Sequence, residues 1–131
     1  MSKDIADKAY HFTVEVLQMH ANARQRTGDF LMLTKVMENA VSLGEQATIA
    51  KEALSGQEQF NAYSSAYQFA IKTQYWLRIL TDTGYVDFKT MGQLLGDARE
   101  LSADLKIVVH QIKQKMSPAG MKAATKPRIK R

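Results

Sequence analysis

The stretch that decides the fold runs from Asn39 to Val86: NAVSLGEQATIAKEALSGQEQFNAYSSAYQFAIKTQYWLRILTDTGYV. It reads as two long helices joined by a capped turn. Ser55-Gly56-Gln57-Glu58 is a capping box: the serine accepts from the backbone N–H of Glu58, and the glutamate reaches back. Before the turn, Val36, Ala40, Leu43, Ala47, Ala50 and Leu54 recur at three- and four-residue steps. A second, overlapping stripe contains Phe30, Leu33, Met37, Ala40, Gly44 and Ala47. The apolar face of this helix, about Phe30 to Leu54, is therefore wide. Gly44 in its middle costs about 1 kcal/mol relative to alanine, which the close approach of another helix would justify. After the turn, a helix over about Gln57 to Asp82 carries Ala62, Ala66, Phe69, Thr73, Trp76 and Leu80 on one face. Thr83-Gly84 ends it, because glycine readily takes the left-handed conformation that closes a helix.

Working outward, the same periodicity predicts two more helices. The first covers about Ser2 to Arg26, with Ile5, Ala9, Phe12, Val16, Met19 and Ala23 on one face. Ser2 and Asp4 suit its start, and Gly28 breaks it. Asp29 then caps the second helix. Asp87 caps the last, about Phe88 to Lys115, where Met91, Leu94, Ala98, Leu101, Leu105, Val108 and Ile112 keep the three-four alternation throughout. Ser117-Pro118 closes it, since proline disfavours helical geometry in the residue before it. Short connections make neighbouring helices antiparallel. The expected fold is all-α, an antiparallel up-down-up-down four-helix bundle over residues 1–115, followed by a basic, aperiodic tail over 116–131.

Composition agrees. The chain has 131 residues, 45% hydrophobic and 24% charged, with two prolines and no cysteine. That is a helical, core-forming profile, without disulfides, thiolate metal sites or a cysteine nucleophile. No apolar run is long enough to span a bilayer and no signal-peptide pattern stands at the start, so the expected partner list has no membrane and the expected location is the cytoplasm.

Charge is unevenly placed. Residues 1–115 hold 13 Lys/Arg and all 13 Asp/Glu, so they sum to zero. Lys122, Lys126, Arg128, Lys130 and Arg131 supply the whole net charge of +5. A basic arm on a neutral body suits a polyanion, although a merely solvated tail has the same composition. Arg99, Lys106 and Lys113 recur every seven residues on the last helix, with His110 and Lys115 nearby, and this edge runs toward the tail. Together these cations form a candidate phosphate-contacting strip.

Catalytic and cofactor chemistry finds no foothold. Di-metal bundles need Glu-x-x-His pairs aimed inward. The residues three before His11, His20 and His110 are Lys8, Leu17 and Ile107. His11 and Glu15 are one turn apart, a spacing more common in surface pairs than in ligand sets. There is no Gly-x-Ser-x-Gly elbow and no phosphate-binding glycine loop. Ser64 and Ser65 read as small residues that permit close helix packing. Glu38, Glu45 and Glu52 recur every seven residues and read as a solvated edge or an acidic interface stripe. The expectation is a non-enzymatic protein with no cofactor and no metal.

On the third helix, Trp76 shares its stripe with Phe69 and Leu80, so it reads as core. Tyr75 and Arg78 fall off that stripe and suit an oligomer interface, or for the tyrosine base stacking.

The chain resembles the small bacterial four helix bundle proteins, which include proteins encoded in large-subunit rRNA intervening sequences. The matching pieces are Asn39-Ala40-Val41-Ser42-Leu43-Gly44-Glu45, Ser55 with Gln59-Phe60, Thr73-Gln74-Tyr75-Trp76-Leu77-Arg78, and Thr83-Gly84-Tyr85-Val86. The related accessory variability determinant of diversity-generating retroelements has a similar Trp-Leu-Arg segment and a basic C-terminal end. The resemblance implies a homopentameric barrel of bundles. It also implies RNA or DNA as client and a reverse transcriptase as partner. By this likeness the tail, the basic edge of the last helix and Arg24, Arg26 and Arg78 would face nucleic acid or the polymerase. Relatives often carry Glu where this chain has Lys72. The alternative reading is a protein–protein interaction scaffold without nucleic-acid binding.

Overall fold

The computed structural model describes residues 4–27, 31–83 and 88–116. They form four helices: α1 (Ile5–Thr27), α2 (Leu31–Glu52), α3 (Gly56–Thr83) and α4 (Phe88–Met116). Each helix packs on its two neighbours in ring order, α1–α2–α3–α4–α1, and no diagonal pair brings its backbones close among the described residues. This is the expected up-down-up-down bundle. Asp29, Gly28, Gly84, Asp87 and Ser117-Pro118, the expected caps and breakers of the other connections, lie outside the described residues. So does the expected tail from residue 117 onward.

Local chemistry sets the helix starts that can be seen. Asp4 caps α1 by accepting from the Asp7 backbone N–H at 2.8 Å. Ser55 Oγ accepts from the Glu58 backbone N–H at 3.1 Å, as a capping box requires. The reciprocal bond differs from expectation. Glu58 Oε1 accepts from Leu54 N–H at 2.9 Å, one residue earlier than the box predicts. Because α2 has already ended at Glu52, Leu54 N–H has no place in a helical ladder, and the glutamate satisfies it.

The core is built from aligned apolar faces. Ala9, Phe12, Val16 and Met19 come from α1, and Leu33, Val36, Ala40, Leu43 and Ala47 from α2. Ala66, Ala70, Leu77 and Leu80 come from α3, and Met91, Leu94, Ala98, Leu101 and Leu105 from α4. Three expectations are corrected. Leu54 is 96% exposed, because it lies in the turn rather than on the α2 face. The buried line of α3 runs through Ala70, Thr73 and Leu77; Phe69 and Trp76 flank it and pack on the core half-buried. On α4, burial is complete only to Leu105, while Val108 and Ile112 are half-buried. Lys8 of α1 reaches Glu100 and Asp104, so α4 runs three turns past that level where α1 has one turn left.

The seams differ in closeness. α2 and α3 share the most extensive contact and α1 and α4 the least. Buried Ala40, Ala47 and Ala50 on α2 and Ala62, Ala66 and Ala70 on α3 add little bulk to the core faces of these helices. Gly44 serves the α1/α2 seam, as its position suggested. A Cβ there would stand 2.9 Å from Thr13 Oγ1. That hydroxyl is held by Ala9 O at 2.8 Å and Ala40 O at 3.0 Å, one acceptor on each helix.

Gly44→Ala is therefore expected to lower stability by about 1 kcal/mol in urea denaturation, overpacking outweighing the gain in helix propensity. In a Thr13→Ala background the same change should stabilise. A stabilising Gly44→Ala in the wild type would contradict the close approach.

Candidate nucleic-acid interface

α4 is the charged helix, and its neighbours sort its charges by flank. Lys8 Nζ from α1 donates to Glu100 Oε2 at 2.7 Å and to Asp104 Oδ2 at 2.8 Å, so these two acids face α1. Ser102 Oγ on the other side donates to Gln74 Oε1 of α3 at 3.1 Å, so Ser102 faces α3. Arg99, Lys106 and Lys113 stand at −3, +4 and +11 from Ser102. Helical spacing puts them on that same α3-facing flank. Gln74 fixes the opposite wall likewise: Tyr67, Ile71 and Arg78 stand at −7, −3 and +4 from it. The α3/α4 seam is therefore bordered by four cations, Arg78, Arg99, Lys106 and Lys113, all exposed.

The two flanks of α4 differ in how their charge is met. Glu100 and Asp104 share Lys8, and the paired carboxylates raise the Lys8 ammonium above its ordinary value against a smaller desolvation effect. None of the four cations makes an ion pair with another described residue. At the bundle end from which α4 leads into the tail, Lys51 Nζ meets Asp4 Oδ2 at 3.1 Å. The Asp7 backbone hydrogen bond and then Lys51 hold the Asp4 carboxyl below its usual range.

The remaining expected site residues separate. Lys115 stands eleven residues after Asp104, on the α1-facing flank, and is not grouped with Lys106 and Lys113. Two residues turn a helix by about 200°, which is the reason. Arg24 and Arg26 belong to the last turns of α1, at the end of the bundle opposite Lys113 and Lys115. Lys122, Lys126, Arg128, Lys130 and Arg131 lie outside the described residues. Tyr75 is 57% exposed and sits edge-on to Trp76 with ring centroids 5.6 Å apart; Arg78 is exposed beside it. Lys72 lies 5.2 Å over the Phe69 ring, a cation–π contact on the α2 side of α3.

One arrangement escaped the sequence reading. Lys8, His11, Phe12, Glu15, Asp97, Glu100 and Leu101 line a cleft of about 150 Å³ along the α1/α4 seam. Desolvation first, and the Asp97 carboxyl second, raise the Glu15 pKa, while His11 opposes this weakly. Asp97, Glu100 and Asp104 do share a flank by spacing, which was the available signal. Lys8, the partner of Glu100 and Asp104, is more than 90 residues away and could not be paired with them from spacing. Among the described residues no group of three or more His, Cys, Asp or Glu is arranged to hold a metal ion. None of the helices is long and apolar enough to cross a membrane.

Comparison with known proteins bears on the fold. No family model matches the chain. No curated protein matches it in sequence. Among solved structures, the chain is similar to a protein of unknown function from the S23 ribosomal protein family of Bacteroides thetaiotaomicron, with a TM-score of 0.76 and 23% identity. The match covers 81% of this chain and 98% of that one. At this identity the likeness is one of fold, and the fold is the four-helix bundle described above.

The raised Glu15 pKa has a definite sign. The folded chain holds this proton to higher pH than the unfolded chain, so stability falls as pH rises from about 4.5 through the raised value. Glu15→Gln should flatten that part of the stability–pH profile and leave the variant more stable than wild type at pH 7, as read by urea unfolding at several pH values. An unchanged profile would show that neither desolvation nor the Asp97 carboxyl perturbs Glu15.

Proposed function

We propose that this protein is a non-enzymatic, self-associating nucleic-acid-binding accessory protein, with RNA as the favoured client. The observation that carries this reading is the division of charge on α4. Of its three acids, Glu100 and Asp104 are met inside the chain by Lys8, whereas Arg99, Lys106 and Lys113 have no described acid to meet and can take an external anion. α4 then leads, through Lys115, into a segment whose five cations are unaccompanied by any acid. Contacts of this kind grip phosphates by displacing counterions and read little sequence. Tyr75 and Arg78, exposed on α3, belong in this reading to the surface that meets other protein chains. The family resemblance adds the finer proposals: a homopentamer, a retroelement reverse transcriptase as partner, and a cytoplasmic setting.

A second reading, the protein-interaction scaffold, has its own observation. The bundle end where α4 finishes also carries Asp4, Asp7, Glu52 and Glu58, acids able to neutralise the C-terminal cations.

The two readings part in a salt titration with a structured RNA. Binding is expected to weaken linearly in log–log coordinates. Deleting residues 117–131, with their five cations, should reduce the slope by about four. Lys115→Ala should take off about one more. Absent binding, or a slope indifferent to the deletion, favours the scaffold.

A further inference from the structure

The basic face of α3/α4 has an acidic counterpart on the far corner of the same molecule. Glu38, Glu45 and Glu52 stand on α2 at seven-residue spacing, exposed, and make no ion pair with a described residue. Leu31 continues the row one heptad earlier and is 69% exposed. Ile49, also exposed, lies beside Glu45 and Glu52 on this ridge. The receiving face carries apolar side chains as well: Ile71 and Tyr75 on α3 are both exposed. One ridge is apolar and acidic, and one face is apolar and basic. Because α2 and α4 are diagonal in the bundle, the two cannot meet within one chain.

Their heights match. The α2–α3 turn at Leu54 gives a common level, and the Ser102–Gln74 hydrogen bond transfers that level from α3 to α4. Counting at 1.5 Å per residue, Glu45 and Lys113 both stand about 14 Å above the turn. Glu38 and Lys106 both stand about 24 Å above it. Leu31 stands at about 34 Å, within a turn of Tyr75 at about 32 Å and level with the stem of Arg99. α2 and α4 also run in the same direction. Two copies placed side by side, pointing the same way and without sliding, therefore bring two acids onto two bases at once, with apolar contact above them.

We propose that the acidic α2 ridge of one copy docks on the α3/α4 face of the next, pairing Glu38 with Lys106 and Glu45 with Lys113. The interface is head-to-tail, because ridge and face are different surfaces. Head-to-tail contacts without an axial step close into rings rather than climb into filaments. In such a ring every α4 ends on the same rim. Lys115 of every copy then stands on that rim and remains for phosphate contact, while Lys106 and Lys113 hold the neighbour. This inference rests on the self-associating half of the reading above and narrows its binding half.

Charge reversal tests it by sedimentation velocity at low and moderate salt. Wild type should assemble. Glu38→Lys/Glu45→Lys and Lys106→Glu/Lys113→Glu should each weaken assembly at least about tenfold, through like charges brought face to face. The quadruple variant carrying all four changes restores opposite charges and should regain assembly. Unchanged helicity and melting temperature would show that these exposed positions leave the bundle folded. A monomeric wild type, doubles that assemble normally, or a quadruple as weak as the doubles would each overturn the interface. Glu38→Lys/Glu45→Lys removes no cation, so it should keep salt-sensitive RNA binding. If wild type assembles as described but binds no RNA, the nucleic-acid reading fails and the interface stands.

Discussion

The constraint on which this bundle rests is the α2/α3 contact, the most extensive of its four seams. The buried faces of these two helices carry six alanines, three on each, and small side chains let packed helices come close. Leu33 and Leu43, Leu77 and Leu80, Met91 and Leu105 are fully buried and fill the core. On the far side, α1 and α4 share the least contact, and polar chemistry joins them. Lys8, partly buried between two carboxylates, bridges the two helices. A bridging cation with a (CH₂)₄ stem spans a wider separation than a methyl contact can.

This division explains why α4 has two characters. The flank toward α1 needs acids to meet Lys8. The flank toward α3 is already packed through Leu95 and Ser102, and its outer positions are free to carry charge for another purpose. Surface ion pairs contribute little each, so an unpaired row of cations costs the fold little and can be kept for a partner.

Most of the fold was legible in the sequence because helical periodicity and end chemistry are local. The Ser55 half of the capping box, the cap at Asp4 and the buried lines of α1 from Ala9 to Met19 and of α4 from Met91 to Leu105 followed from spacing alone. Gly44 was legible too, as a residue with a propensity cost and no local reason for it. What failed was phase within a broad face. On α3, Phe69 and Trp76 outweigh Ala70 and Leu77 in any reading by bulk, yet the buried line runs through Ala70, Thr73 and Leu77 and the rings flank it. Leu54 failed for a related reason, since periodicity says nothing about where a turn begins. The basic edge Lys106–Lys113 was readable at its own spacing. Its separation from Lys115 follows from the same geometry once Asp104 and Ser102 are known to face different helices. The Lys8 clamp was not readable, because it joins residues at opposite ends of the chain.

The overhang of α4 has a mechanical consequence. From Met91 to Leu105 the helix is gripped on both sides, whereas at Val108 and Ile112 the burial is partial because α1 has nearly run out. The helix is thus a cantilever, anchored over most of its length with one side of its tip unsupported. A pull on the C-terminal segment acts through that tip. It bends the rod toward the missing support and strains the Lys8 contacts at the fulcrum before the α2/α3 contact on the far side feels any load.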